Sequence, residues 1–196
     1  MGAFNRCLAG LGAALLVLAL PASAQTEVAD PPDPWVHAAT GTPFPAEAAG
    51  FRRSRVIEYS EDGRDAGVNY ALSRGDEWLM VSLYVYPAFT DLDCKGTYED
   101  ARATVAAYRG AKLLGEARDP APSGRGEGVA YHARFLLPAG VVREDIPEAR
   151  SDVYLYCPAG GQWLVKYRAT WSAGADFEHD IEALVHAIAW PGNLGG

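Results

Sequence analysis

Three side chains near the carboxyl end, His179, Glu182 and His186, are spaced three and four residues apart. On a helix that spacing gathers them within about 60° of one face, and two imidazoles with a carboxylate are donors suited to a divalent cation. The same periodicity puts Phe177, Ile181, Leu184, Val185 and Ile188 on the other face. An apolar stripe belongs in the core, so the three polar groups are expected in solvent, with no metal between them. His132 is the other histidine with a chemical prospect. It falls in an alternating, strand-like segment, where a side chain exposed or paired within the sheet is expected. The chain has no G-x-S-x-G, H-E-x-x-H or C-x-x-C segment, and no catalytic residue is assigned.

Three loops resemble binding motifs in letters only. Asp91 to Gly96 opens like a calcium loop, but Lys95 and Arg102 stand where oxygen ligands are required. Gly124-Arg125-Gly126-Glu127-Gly128 leads into a strand and not into a helix N-terminus, so it lacks the dipole that holds a phosphate. Arg74-Gly75-Asp76 reads as a hairpin turn between two strands.

Aromatic residues carry more weight. Alternation puts Trp78, Tyr84 and Tyr86 on one side of their strand, Tyr154 and Tyr156 on one side of a second, and Trp163, Tyr167 and Trp171 on one side of a third. Should the sets share a face, Tyr84, Tyr86, Tyr154, Tyr156, Trp163, Tyr167 and Trp171 form a surface for an apolar or ring-bearing ligand or a protein partner. Should they not, they build a second core layer under a helix or under the Pro-rich leader.

The elements that must position these groups begin after an export signal. Arg6, the apolar run Leu8 to Leu20, Pro21 and Ala22-Ser23-Ala24 read as a signal peptide over 1–24, cleaved after Ala24. The run would span only about 20 Å as a helix, short of a bilayer core of roughly 30 Å, so no membrane anchor is expected. Cleavage leaves one short, acidic chain, because Arg6 departs from a protein already at a formal charge of −8. That balance argues against nucleic acid as a partner. Cys94 and Cys157 remain, and in an oxidising compartment they are expected to form a disulfide.

Residues 25–50, with five prolines, read as an extended leader in which Trp35 and Phe44 touch the body, followed by a single domain over 51–196. Strands are expected over Arg55 to Ser60, Val68 to Ser73 and Trp78 to Tyr86, then a helix from Thr97 to about Arg109. A short strand at Lys112 to Glu116, strands at Val129 to Leu136, Val153 to Cys157 and Gln162 to Trp171, and a helix capped by Asp176 complete the order. This predicts an α+β fold: an antiparallel sheet of about six to seven strands with two main helices packed on it.

The stretch Phe44-Pro45-Ala46-Glu47, Gly50-Phe51-Arg52-Arg53, Tyr59, Gly67-Val68-Asn69-Tyr70 and Val81 to Pro87 resembles small exported bacterial proteins of unassigned function. The strand order is similar to that of PsbP-like domains, which implies a binding or assembly role. The expectation is therefore a soluble, periplasmic or secreted, non-catalytic binding or accessory factor of the cell envelope, without a cofactor. Its partner would be an envelope protein or a small apolar or aromatic ligand. The alternative is an envelope enzyme whose site, around His132 or around His179, Glu182 and His186, forms only in three dimensions.

Overall fold

A computed structural model describes residues 25–125 and 128–194. The expected signal peptide, its expected cleavage point and Gly126-Glu127 of the glycine-rich loop lie outside the described residues. No helix among those described is long and apolar enough to cross a membrane.

Four two-residue strands come first: β1 (Thr26–Glu27), β2 (Trp35–Val36), β3 (Pro43–Phe44) and β4 (Glu47–Ala48). Three long strands follow, β5 (Phe51–Glu58), β6 (Ala66–Arg74) and β7 (Glu77–Pro87), then helix α1 (Cys94–Ala106). Four more strands, β8 (Lys112–Pro120), β9 (Val129–Leu137), β10 (Ala149–Tyr156) and β11 (Trp163–Ser172), lead to helix α2 (Glu178–Ala187). The main sheet has nine strands, in the order β1-β5-β6-β7-β11-β10-β9-β8 with β4 also on β5, and every pairing is antiparallel. The expected six to seven strands are an undercount, because the leader adds two short strands to the β5 edge. The α+β class stands.

Each sheet face is apolar and carries one helix, because alternation sends a residue set to each side. On one face Val81, Leu83, Val165 and Trp171 pack with Ile181, Leu184 and Val185 of α2. The leader joins this core: Phe44 is buried and meets Trp190 edge-on, and Trp35 packs tilted against Phe44. On the other face Phe135, Leu137, Val153 and Leu155 pack with Tyr98, Ala101 and Val105 of α1. Removing apolar side chains of this size from water contributes roughly 1.5–3 kcal/mol each.

The helix starts differ from expectation in an informative way. α1 begins at Cys94, three residues before Thr97, because the Asp93 carboxylate accepts the Gly96 N–H at 2.7 Å and caps it. Its first residue is bridged to Cys157, just beyond β10, so the expected disulfide pins the start of α1 to the sheet. For α2 the N-cap is Phe177, while Asp176 accepts the Glu178 N–H at 3.3 Å from one position upstream.

Candidate functional site

Three adjacent strands build the centre of the α2 face. Register sets His132 of β9 opposite Tyr154 of β10, and Tyr154 opposite Tyr167 of β11. Their rings stack in a row, His132 on Tyr154 at 3.8 Å and Tyr154 on Tyr167 at 4.3 Å between centroids. The diagonal neighbours of His132 are carboxylates. Asp152 faces Arg134, two residues along β10 from Tyr154, and Asp119 faces Ala130, two residues along β8 from Ala117.

Both ring nitrogens of His132 are therefore engaged. Asp152 Oδ2 lies 2.9 Å from Nε2, a hydrogen bond, and Asp119 Oδ2 lies 2.6 Å from Nδ1. The Asp119 contact is close but out of line with the ring N–H, so it acts as an ion pair more than as a hydrogen bond. His132 is 2 % exposed and Asp152 fully buried. Burial works against a charged imidazole, but the two carboxylates outweigh it and hold the His132 pKa above the ordinary histidine value. Burial first, and then nearby carboxylates, push the Tyr154 phenol far above its usual range; Tyr167 is raised in the same way.

A cavity of about 280 Å³ opens over this row, with the stacked rings as its wall and α2 along one side. Ile181 and Val185 turn inward, and His179, Glu182 and His186, all exposed, form the rim. Glu182 and His186 approach only to 4.0 Å, and among the described residues no cluster of histidine, cysteine or carboxylate side chains is arranged to hold a metal. The two candidate groups, on separate segments of sequence, thus share one cavity.

Asp119 and Asp152 escaped the sequence reading. β8 runs to Pro120 and not only to Glu116, and β10 starts at Ala149 and not at Val153, so both aspartates fell in presumed loops. A carboxylate directly before the strand-forming run Val153-Tyr154-Leu155-Tyr156, and in alternation with Tyr154, is the signal that Asp152 offers.

The seven aromatic candidates do not form one surface. Tyr154 and Tyr167 line the α2 cavity, while Tyr156, Trp163 and Trp171 are buried in the same core. Trp163 packs edge-on to His37 of the leader, and Trp171 Nε1 donates to the Ala175 carbonyl at 3.2 Å. Tyr84 and Tyr86 project from the opposite face, where Lys166 lies over their rings at 4.3 and 5.6 Å. Six of the seven are thus buried, five in the core on the α2 side and Tyr86 in the core on the α1 side, with Tyr84 packed against the latter, while Tyr154 and Tyr167 also line one cavity and Tyr84 and Tyr86 another. Neither a protein-family model nor a curated protein matches this chain.

Proposed function

We propose that the chain is an exported, non-catalytic binding or accessory factor of the cell envelope, and that the cavity beside α2 takes a small ligand bearing an ammonium or amidinium group on a flat body. The observation that carries this reading is the bracketing of His132. A general base needs a nitrogen free to meet substrate, and here each nitrogen already faces a carboxylate. The bracket instead preorganises Asp119, which spends one oxygen on His132 and stands on the cavity wall with its side chain 31 % exposed. Glu178 and Glu182 add negative charge beside it, against Arg134 on the wall and Arg150, 3.8 Å from Glu178. The flat wall of Tyr154 and Tyr167 suits a ring or an amidine plane. The disulfide fits an oxidising compartment, and the apolar run with Ala22-Ser23-Ala24 supports the periplasm or the exterior.

Benzamidine is the probe. It should raise the melting temperature of the oxidised protein saturably, while benzoate should not. Asp119→Asn should weaken benzamidine binding at least about tenfold. Equal effects of benzamidine and benzoate, or indifference to Asp119→Asn, would count against the reading.

One observation favours an enzyme instead: His132, His179, Glu182 and His186 converge on a single cavity. That reading requires His132 to release one carboxylate. Turnover in a screen of esters, amides and phosphoesters, abolished by His132→Gln, would establish it and displace the binding reading.

A further inference from the structure

The second cavity lies on the opposite face, between α1 and the strands β6, β7 and β11. Its centre is another row across three strands: Gly67 opposite Tyr84, and Tyr84 opposite Lys166. The glycine lets the Tyr84 and Tyr59 rings that wall the cavity lie close over the sheet. A Cβ there would stand 2.9 Å from Tyr84 Cδ1 and 3.1 Å from Tyr59 Cε2, so any side chain would drive the two rings out of place. Tyr59, Tyr84, Tyr86 and Phe89 make the walls of a space of about 310 Å³, and Phe89 at its mouth is 51 % exposed.

Two opposite charges sit among these rings without being neutralised. The Lys166 ammonium lies over two tyrosine faces, with the Arg168 charge acting against it, and among the described residues it has neither a hydrogen bond nor an ion pair. The Asp65 carboxylate, half-buried in the same cavity, has none either. Each feels the other's field, yet they stay beyond ion-pair distance. Burial lowers the pKa of Lys166 and raises that of Asp65, the signature of two charges each short of solvation.

We propose that this cleft is a binding site for a zwitterionic aromatic molecule of amino-acid size, carboxylate toward Lys166, ammonium toward Asp65 and ring between the tyrosines and Phe89. A simple anion would meet Asp65 and Asp100, and a simple cation would meet Lys166; only a ligand carrying both charges gives each half-buried group its partner. The volume lies at the lower end of ligand cavities, about 300–1,000 Å³, which limits the occupant to a small molecule. This inference is independent of the α2 cavity, from which the sheet separates it.

The test is titration of the full, disulfide-bonded protein with L-phenylalanine, followed by calorimetry, beside phenethylamine and 3-phenylpropanoate, which lack one charge each. Saturable binding of L-phenylalanine is expected, with each analogue at least about tenfold weaker. Lys166→Met and Asp65→Asn should each weaken it at least about tenfold without lowering the melting temperature, and Asp119→Asn should leave it unchanged. Gly67→Ala should reduce it through the displaced rings, with both charges kept. Failure to saturate by about 10 mM with L-phenylalanine, L-tyrosine and L-tryptophan alike overturns the proposal. So does binding that is indifferent to Lys166→Met, or analogues that bind as well as the amino acid. Loss through Asp119→Asn alone would move the ligand to the other cavity.

Discussion

The two faces of the sheet hold the same kind of device, a row of side chains across three strands, with opposite electrostatics. On the α2 side the row is His132, Tyr154 and Tyr167, and its charge is answered internally by Asp119 and Asp152. On the α1 side the row is Gly67, Tyr84 and Lys166, and its charge faces an open cleft with Asp65 out of reach. Charges that have found partners inside the fold belong to its stability, because removing one partner strands the other in low dielectric. Charges left apart do not stabilise the fold, being short of solvation there, and remain available to something that arrives from outside. The chain thereby separates the groups that hold it together from those that can select a ligand.

Paired substitutions test that division most severely. Asp152→Ala removes a fully buried carboxylate and leaves His132 charged against Asp119 alone, so a loss of about 3–5 kcal/mol is expected in urea unfolding. Lys166→Met keeps the aliphatic stem over Tyr84 and removes only the unpaired, under-solvated ammonium, so it should lower stability by no more than about 0.5 kcal/mol. Comparable losses in the two variants would break the comparison.

The disulfide sharpens it. Cys94 opens α1 and Cys157 follows β10, so the bridge fixes the helix that walls the Lys166 cleft and touches nothing in the His132 cavity. Replacing both cysteines with serine should cost about 2–4 kcal/mol of global stability in urea unfolding. Amide exchange should quicken more in α1 than in the β9 and β10 segments around His132, because local opening follows lost restraint. Equal acceleration in both regions would mean that the bridge serves the whole sheet and not α1.

How far the sequence reaches is visible in these same residues. The strand order after α1, the apolar stripe of α2 and the cysteine pair were legible because each rests on local periodicity or on the only two cysteines outside the expected signal peptide. The faces of the aromatic strands were legible within a strand but not between strands, since relative register is a long-range property. That is why Tyr84 and Tyr86 could not be separated from Tyr154 and Tyr167 beforehand. Asp119 was missed for a related reason. A strand that continues through Arg118-Asp119-Pro120 has weak local strand preference and is held by pairing with β9, where Pro120 at the end forgoes no needed ladder bond. The Lys166 cleft depends on a glycine two strands away from the lysine, and nothing in the local pattern around Gly67 announces it.

A smaller effect, but one with a sign fixed in advance, comes from comparing His132 with the other buried histidine. His37 in the leader donates from one ring nitrogen to the Arg64 carbonyl at 3.2 Å, and its other nitrogen meets the Thr40 hydroxyl at 2.7 Å. Burial lowers its pKa, and backbone carbonyls recover only part of that shift, so the fold prefers His37 neutral. The unfolded chain then binds more protons at this position, and stability is lost as pH falls from the ordinary histidine value of about 6.5 through the lower folded one. For His132 the raised folded pKa reverses the argument. Its contribution is complete below about pH 6.5 and is lost as pH rises through the folded value, because there the folded state binds the extra proton. Urea midpoints measured from about pH 5 to pH 9 should therefore fall off on both sides of a neutral maximum. His132→Gln should flatten only the alkaline limb, and His37→Gln only the acid limb. An alkaline limb that survives His132→Gln would mean that it arises from another group and that the imidazole between Asp119 and Asp152 does not hold the extra proton.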